Sequence, residues 1–265
     1  MALPTNIRLK KEHGQNFLHD PSVVLGILDA VKLTNTTNVL EIGPGGGFLT
    51  REILQHPIAR LWAFEIDPEW VEYLKTTITD ERLTVFEQDF LMTDFTTLEP
   101  HKPWTVLANL PYHLTFPILH LLQKNRHLFG EGVLMMQEEV AQKILKKRGR
   151  DYGVSSLFFQ RFFSWQLLAK IPPTAFNPPP KVFSRLLHFV PRTDIEYIEN
   201  EEEFWRFAKV CFAQPRRTLV NNIKQSPYCW VIIPERFQTL RAQQLTMPDL
   251  IAWWHEIIKQ RQHSA

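Results

Sequence analysis

Short apolar runs alternate with helix-periodic stretches through the first two-thirds of the chain. Asn38-Val39-Leu40-Glu41-Ile42, Leu61-Trp62-Ala63-Phe64, Leu83-Thr84-Val85-Phe86 and Trp104-Thr105-Val106-Leu107 read as buried strands, as do residues 132–136, 165–170 and 186–190. Between them the pattern predicts helices over 21–31, 48–55, 115–122, 138–147 and 155–163, the first opened by an Asp20 cap and Pro21. This is the alternation of an open α/β sheet. Acidic residues crowd between Asp194 and Glu203, and beyond them the chain reads as helical. Phe204, Phe207, Ala208, Cys211 and Phe212 share one face, and Leu250, Ile251, Trp254, Ile257 and Ile258 another. Two domains are therefore predicted, over 1–192 and 193–265.

Four strand ends carry polar residues suited to a ligand. After Ile42 comes Gly43-Pro44-Gly45-Gly46-Gly47, a loop whose backbone can approach a ligand without side chains in the way. Glu65 and Asp67 follow about 20 residues later, the spacing at which a carboxylate meets ribose hydroxyls. A turn explains glycines as readily, but strand and helix flank these. Phe48 stands where the dinucleotide pattern has its third glycine, so a nucleoside without a pyrophosphate fits better. Gln88-Asp89-Phe90 ends the third strand, where Asp89 suits an adenine amino group or, equally, a helix cap. Ala108-Asn109-Leu110-Pro111-Tyr112-His113 places an amide, a rigid Pro and an aromatic ring at the fourth.

Two further segments resist a bland reading. Ile171-Pro172-Pro173-Thr174-Ala175-Phe176-Asn177-Pro178-Pro179-Pro180-Lys181-Val182 is stiff and extended, a rigid connector or a mount for Phe176. The polar arm around Gly14 includes Phe17 and Leu18, which suggest that it packs on something.

Composition narrows the class. At 265 residues with 44% hydrophobic content, the chain can bury an ample core. No uninterrupted apolar run approaches the roughly 20 residues of a membrane helix, and the N-terminus has no apolar leader segment. A cytoplasmic protein is expected. Cys211 and Cys229 form neither a CxxC pair nor a ligand cluster, so no disulfide framework and no metal is expected. The net charge of +2 is uninformative, but Arg8, Lys10 and Lys11 form one basic group and Lys143, Lys146, Lys147, Arg148 and Arg150 another. Lysines also suit a helix C-terminus without any nucleic acid.

Taken in order, Gly14-Gln15-Asn16-Phe17-Leu18, Glu41-Ile42-Gly43-Pro44-Gly45, Asn109-Leu110-Pro111-Tyr112 and Phe176 to Val182 resemble the small-subunit ribosomal RNA adenine dimethyltransferases, the KsgA/RsmA family. The resemblance runs through most of the chain. It implies a Rossmann-like class I methyltransferase fold, with a seven-stranded α/β sheet and a small all-α C-terminal domain. S-adenosyl-L-methionine would be the methyl donor. The implied reaction is N6,N6-dimethylation of two adjacent adenines in a 3′-terminal hairpin of 16S ribosomal RNA, contributing to 30S subunit maturation.

Carried over to this sequence, residues 1–20 would form an arm over the donor, with Asn16 and Leu18 closing on it. Gly43 and Gly45 would lie beneath it, Glu65 would hold the ribose, and Asp89 beside Phe90 the adenine. Asn109 would stand between donor and substrate, and Asn109, Leu110, Pro111, Tyr112 and Phe176 would form the catalytic set. Lys10, Lys11, Lys143, Lys146, Lys147, Arg148, Arg216 and Arg217 are the candidate RNA contacts. The partner would be 16S ribosomal RNA in the 30S subunit, met by a monomer. Three positions depart from the family pattern: Pro215 and Val220 replace frequent basic residues, and Phe183 a usual Asp. Adenine methylation of large-subunit RNA or DNA, and a ribosome-assembly role resting on binding, are the alternatives. The Phe176 segment and the stretch beginning Glu203-Phe204 favour the small subunit.

Overall fold

The computed structural model describes residues 16–264. Its first element, β1 (Phe17–Leu18), is too short to show any periodicity. The helix α1 (Pro21–Leu28) starts where Asp20 accepts a hydrogen bond from the Ser22 N–H at 2.9 Å. It ends short of the predicted residue 31 because Ala30 and Val31 bond three residues back, tightening the last turn. The chain continues as β2 (Asn38–Ile42), α2 (Phe48–Ile53), β3 (Arg60–Glu65), α3 (Pro68–Thr77), β4 (Leu83–Glu87) and β5 (Trp104–Asn109). Next come α4 (Thr115–Lys124), β6 (Phe129–Gln137), α5 (Glu138–Leu145), α6 (Val154–Phe162), β7 (Phe163–Ile171), β8 (Phe176–Asn177) and β9 (Ser184–Pro191). The helices α7 (Glu201–Cys211), α8 (Leu219–Ile223) and α9 (Met247–Ser264) follow.

Seven strands form one sheet in the order β4-β3-β2-β5-β6-β9-β7. The first five are parallel, and β9 runs antiparallel to both β6 and β7. From β2 the chain moves outward through β3 and β4, then returns and moves the other way through β5 and β6. The direction reverses between β2 and β5, where the loops leaving their C-terminal ends part and leave a crevice. Both faces of the central strands are covered, which is why they read as continuous apolar runs. Val39, Leu61, Leu107, Val133 and Leu186 are wholly buried, in one cluster with Val24 and Ile27 of α1.

The chain divides into two compact units. One holds the sheet and includes residues up to Ala141 with Phe163–Pro191; the other includes Gln142–Phe162 and the chain from Arg192 onward. The segment 142–162, assigned to the first domain from sequence, packs in the second unit: Tyr152 and Leu157 share a core with Phe204, Phe207, Cys211, Trp253 and Trp254. A helical pattern shows that a face is apolar but not what covers it. Part of the acidic stretch is consumed within the second unit, where Glu201 pairs with Arg161 and Glu203 with Arg261. Among the described residues, no helix is long and apolar enough to cross a membrane.

Candidate functional site

A cavity of about 670 Å³ opens at the switch point, within the size range of small-molecule sites. It draws its wall from the loops after β2, β3, β4 and β5, from the arm, and from β8. Asn16, Leu18, Gly43, Gly45, Glu65, Asp89, Phe90, Asn109, Leu110, Pro111, Tyr112 and Phe176 all line it. Residues separated by up to 160 positions are thus brought to one sheet edge.

The glycine loop is shaped by backbone conformations that side chains disfavour. Gly43 has φ +69° and Gly45 φ +52°. A Cβ on Gly43 would meet nothing within 4 Å, so this part of the loop offers bare backbone to open space. A Cβ on Gly45 would stand 2.6 Å from Cε1 of Phe17, whose ring lies on the loop and tilts against Trp70 at 4.8 Å between centroids. The arm is anchored by β1 pairing antiparallel with β8, Phe17 opposite Asn177 and Leu18 opposite Phe176, and by the His19 N–H donating to the Ala175 carbonyl. Gly14 and Gln15 of the arm motif lie outside the described residues.

Glu65 is buried and accepts two backbone bonds, from the Gly45 N–H at 2.9 Å and from the Asp67 N–H at 3.0 Å. Its carboxyl is raised above the usual range by burial, against the pull of those N–H groups. Asp67 belongs to the helix instead, capping α3 through the Glu69 N–H. Asp89 serves twice: it lines the cavity while one carboxylate oxygen caps the short turn Phe90–Met92 through the Leu91 N–H at 2.9 Å. Phe90 is buried, edge-on to Phe64.

Asn109 ends β5. Its Nδ2 donates to the Asn16 backbone carbonyl at 3.0 Å. A carbonyl partner admits only the amide nitrogen, so this bond fixes the flip of the side chain and leaves Oδ1 as the other face. The Leu110 N–H donates to the Met135 carbonyl, tying the turn to β6. Pro111, with φ −58°, leads into the turn Tyr112–Leu114, closed by Thr115 Oγ1 donating to the Tyr112 carbonyl. Burial raises the Tyr112 phenol above its ordinary value, and its hydroxyl lies 2.6 Å from that of Ser184. Phe176 is almost wholly buried.

Two residues given no role from the sequence take part at the site or beside it. Glu41 lines the cavity, buried on β2, and accepts from Thr50 Oγ1 at 2.7 Å. Burial pushes its carboxyl up to about 8, with nearby Glu65 adding to the rise. An acid inside an apolar strand run was the available signal. Ser184 gave none, because its partner lies 72 residues away.

None of the described candidate RNA contacts lines the cavity. Lys143 is half-buried, Lys146, Lys147, Arg148, Arg216 and Arg217 are exposed, and all six belong to the second unit. Lys10 and Lys11 lie outside the described residues.

A seven-stranded sheet with a cavity of about 670 Å³ at its switch point has the architecture of a class I methyltransferase. A dimethyladenosine transferase from Plasmodium falciparum shares this fold with a TM-score of 0.79 at 23% identity, over 92% of this chain and 98% of its own. The 23S rRNA methyltransferase ErmE does so with a TM-score of 0.66 at 23% identity, over 92% and 100%. At those identities the likeness concerns the fold alone. In sequence, the chain is 35% identical to a ribosomal RNA small subunit methyltransferase A of Chlorobium phaeobacteroides, over 96% of this chain and 93% of that one. It is 39% identical to the protein of that name from Syntrophotalea carbinolica, over 82% and 83%. The family model for ribosomal RNA adenine dimethylase matches residues 6–247. The chain belongs to the ribosomal RNA adenine dimethylase family.

Proposed function

We propose that the chain transfers methyl groups from S-adenosyl-L-methionine to N6 of adenine in small-subunit ribosomal RNA. The product would be N6,N6-dimethyladenosine at two adjacent positions in a 3′-terminal hairpin of 16S ribosomal RNA, made by a monomer acting on the 30S subunit. The observation that carries this reading is the orientation of Asn109: its amide nitrogen is engaged by Asn16, so its carbonyl oxygen is the atom left to accept from a substrate amine.

The residues present suit an adenosine-type donor. The open space beside Gly43 admits a ligand against bare backbone, and Glu65 ends β3 with a carboxylate already steadied by two N–H groups. Asp89 has its second carboxylate oxygen for an adenine amino group. When bound, S-adenosyl-L-methionine supplies a methyl group on a sulfonium whose departure as a neutral thioether needs no acid.

Adenine N6 is a weak nucleophile because its lone pair is delocalised into the ring. Acceptance of its hydrogens by Asn109 Oδ1 and the Leu110 carbonyl favours a more tetrahedral nitrogen with a directed lone pair. The proton lost on transfer goes to water, so no buried base is required. Tyr112 and Phe176 hold an extruded base between them, since a base must leave its stack to be modified. Rate acceleration then comes from alignment, for which effective molarities of about 10⁵ M or more are attainable, and from preorganised acceptors.

Substrate competition tests this reading. Offered unmethylated 30S subunits, 50S subunits and duplex DNA together, the protein is expected to methylate the 30S particle; selective methylation of 50S RNA or DNA would reject the assignment.

A further inference from the structure

We propose that Ser184 is a positioning residue that holds the Tyr112 ring at the adenine slot. The inference rests on the reading of Tyr112 as a stacking ring. Tyr112 sits on a three-residue turn, and only its backbone is fixed there, by Thr115 Oγ1 on its carbonyl. An aromatic side chain on such a turn has several staggered χ1 wells open to it. The bond of 2.6 Å between the Tyr112 and Ser184 hydroxyls restrains the far end of the ring and selects one direction for its axis.

Ser184 is a rigid post for this purpose. It is wholly buried, and as the first residue of β9 it is paired with Gln137 of β6 on one side and Ile171 of β7 on the other. Ile171 also begins the Pro-rich segment that carries Phe176, and Ile171, Ala175 and Phe176 share one buried cluster. Both ends of that segment therefore meet at one corner of the sheet. Phe176 is referenced to this corner through the core and Tyr112 through Ser184. The gap between the two rings is thus set by the sheet, not by the loop that spans it. The phenol, raised by burial, stays protonated at neutral pH and keeps the hydroxyl pair intact.

A merely structural hydrogen bond would affect folding and leave the chemistry of the folded fraction alone. S184A, S184T, Y112F and the S184A/Y112F double variant separate the two, assayed as full chains with labelled S-adenosyl-L-methionine and unmethylated 30S subunits, alongside thermal melts. S184A and Y112F are each expected to lower kcat by about tenfold, since small misplacements are costly in an aligned site, with KM for the donor unchanged. The double variant is expected to be no slower than the slower single, because both remove one interaction. S184T, which keeps a hydroxyl, recovers most of the lost turnover. Wild-type kcat in S184A, losses that multiply in the double variant, or a loss matching the unfolded fraction would each overturn the inference. Should S184A not fold, wild-type kcat in Y112F overturns it and a tenfold loss supports it. A wild-type chain that transfers no methyl group to adenine overturns the proposed function and this inference together, whereas an active wild type with unaffected variants overturns the inference alone.

Discussion

In the proposed reaction Asn109 concentrates the chemistry in one side chain, whose orientation is set by a backbone carbonyl 93 residues away. Asn109→Ala removes the acceptor, and transfer is expected to fall by about 100-fold or more, the scale of losing one preorganised hydrogen-bonding group. Single-turnover rates check this. Glu41 permits a pH test. Between the ordinary carboxyl value of 4.5 and about 8, the folded chain holds a proton that the unfolded chain has released. Its contribution to stability is full below the lower value, declines by up to about 1.4 kcal/mol per pH unit through that window, and levels off above it. Glu41→Gln removes the decline, so its melting temperature should gain on the wild type as pH rises; parallel curves would contradict the assignment. At this scale the sequence exposed Asn109, Glu65 and Asp89 because each is polar where an apolar run ends. Ser184 stayed hidden because its meaning lies in a distant partner, and Asp67 misled because a cap and a ligand carboxylate occupy the same kind of position.

Strands and helix starts were legible because burial writes apolar runs, and caps write Asp-Pro pairs such as Asp20-Pro21; the same pair at Asp67-Pro68, which opens α3, was read as a strand-end acid instead. The strand β1 was not, since two residues have no period and their partners lie near the far end of the sheet domain. That pairing seats the Phe17 ring on Gly45, so the arm and the glycine loop act as one element. Gly45→Ala tests the coupling. It strains a left-handed residue and drives a Cβ into the Phe17 ring. A stability loss of about 1 kcal/mol or more is expected from the strain, together with weaker donor binding, read by thermal melts and calorimetry. Unchanged donor affinity would mean that the arm and loop are independent.

Over the whole molecule, apolar pattern and charge located the helical C-terminal part, but not the recruitment of 142–162 to its core. That recruitment depends on contacts such as Arg161 with Glu201, formed across 40 residues. The exposed Lys146, Lys147 and Arg148 of this unit are candidate phosphate contacts. Replacing all three with Ala is expected to weaken 30S binding and to flatten the dependence of log K on log salt by roughly 0.7 to 0.9 per lost contact. An unchanged salt slope would mean that these residues do not touch RNA. The reaction itself is tested most directly by incubating the protein with labelled S-adenosyl-L-methionine and unmethylated 30S subunits, then digesting the RNA and identifying the labelled nucleoside. N6,N6-dimethyladenosine from the wild type, lost in Asn109→Ala, is the expected result; monomethyladenosine as the sole product, a labelled cytosine, or full transfer by Asn109→Ala would contradict it.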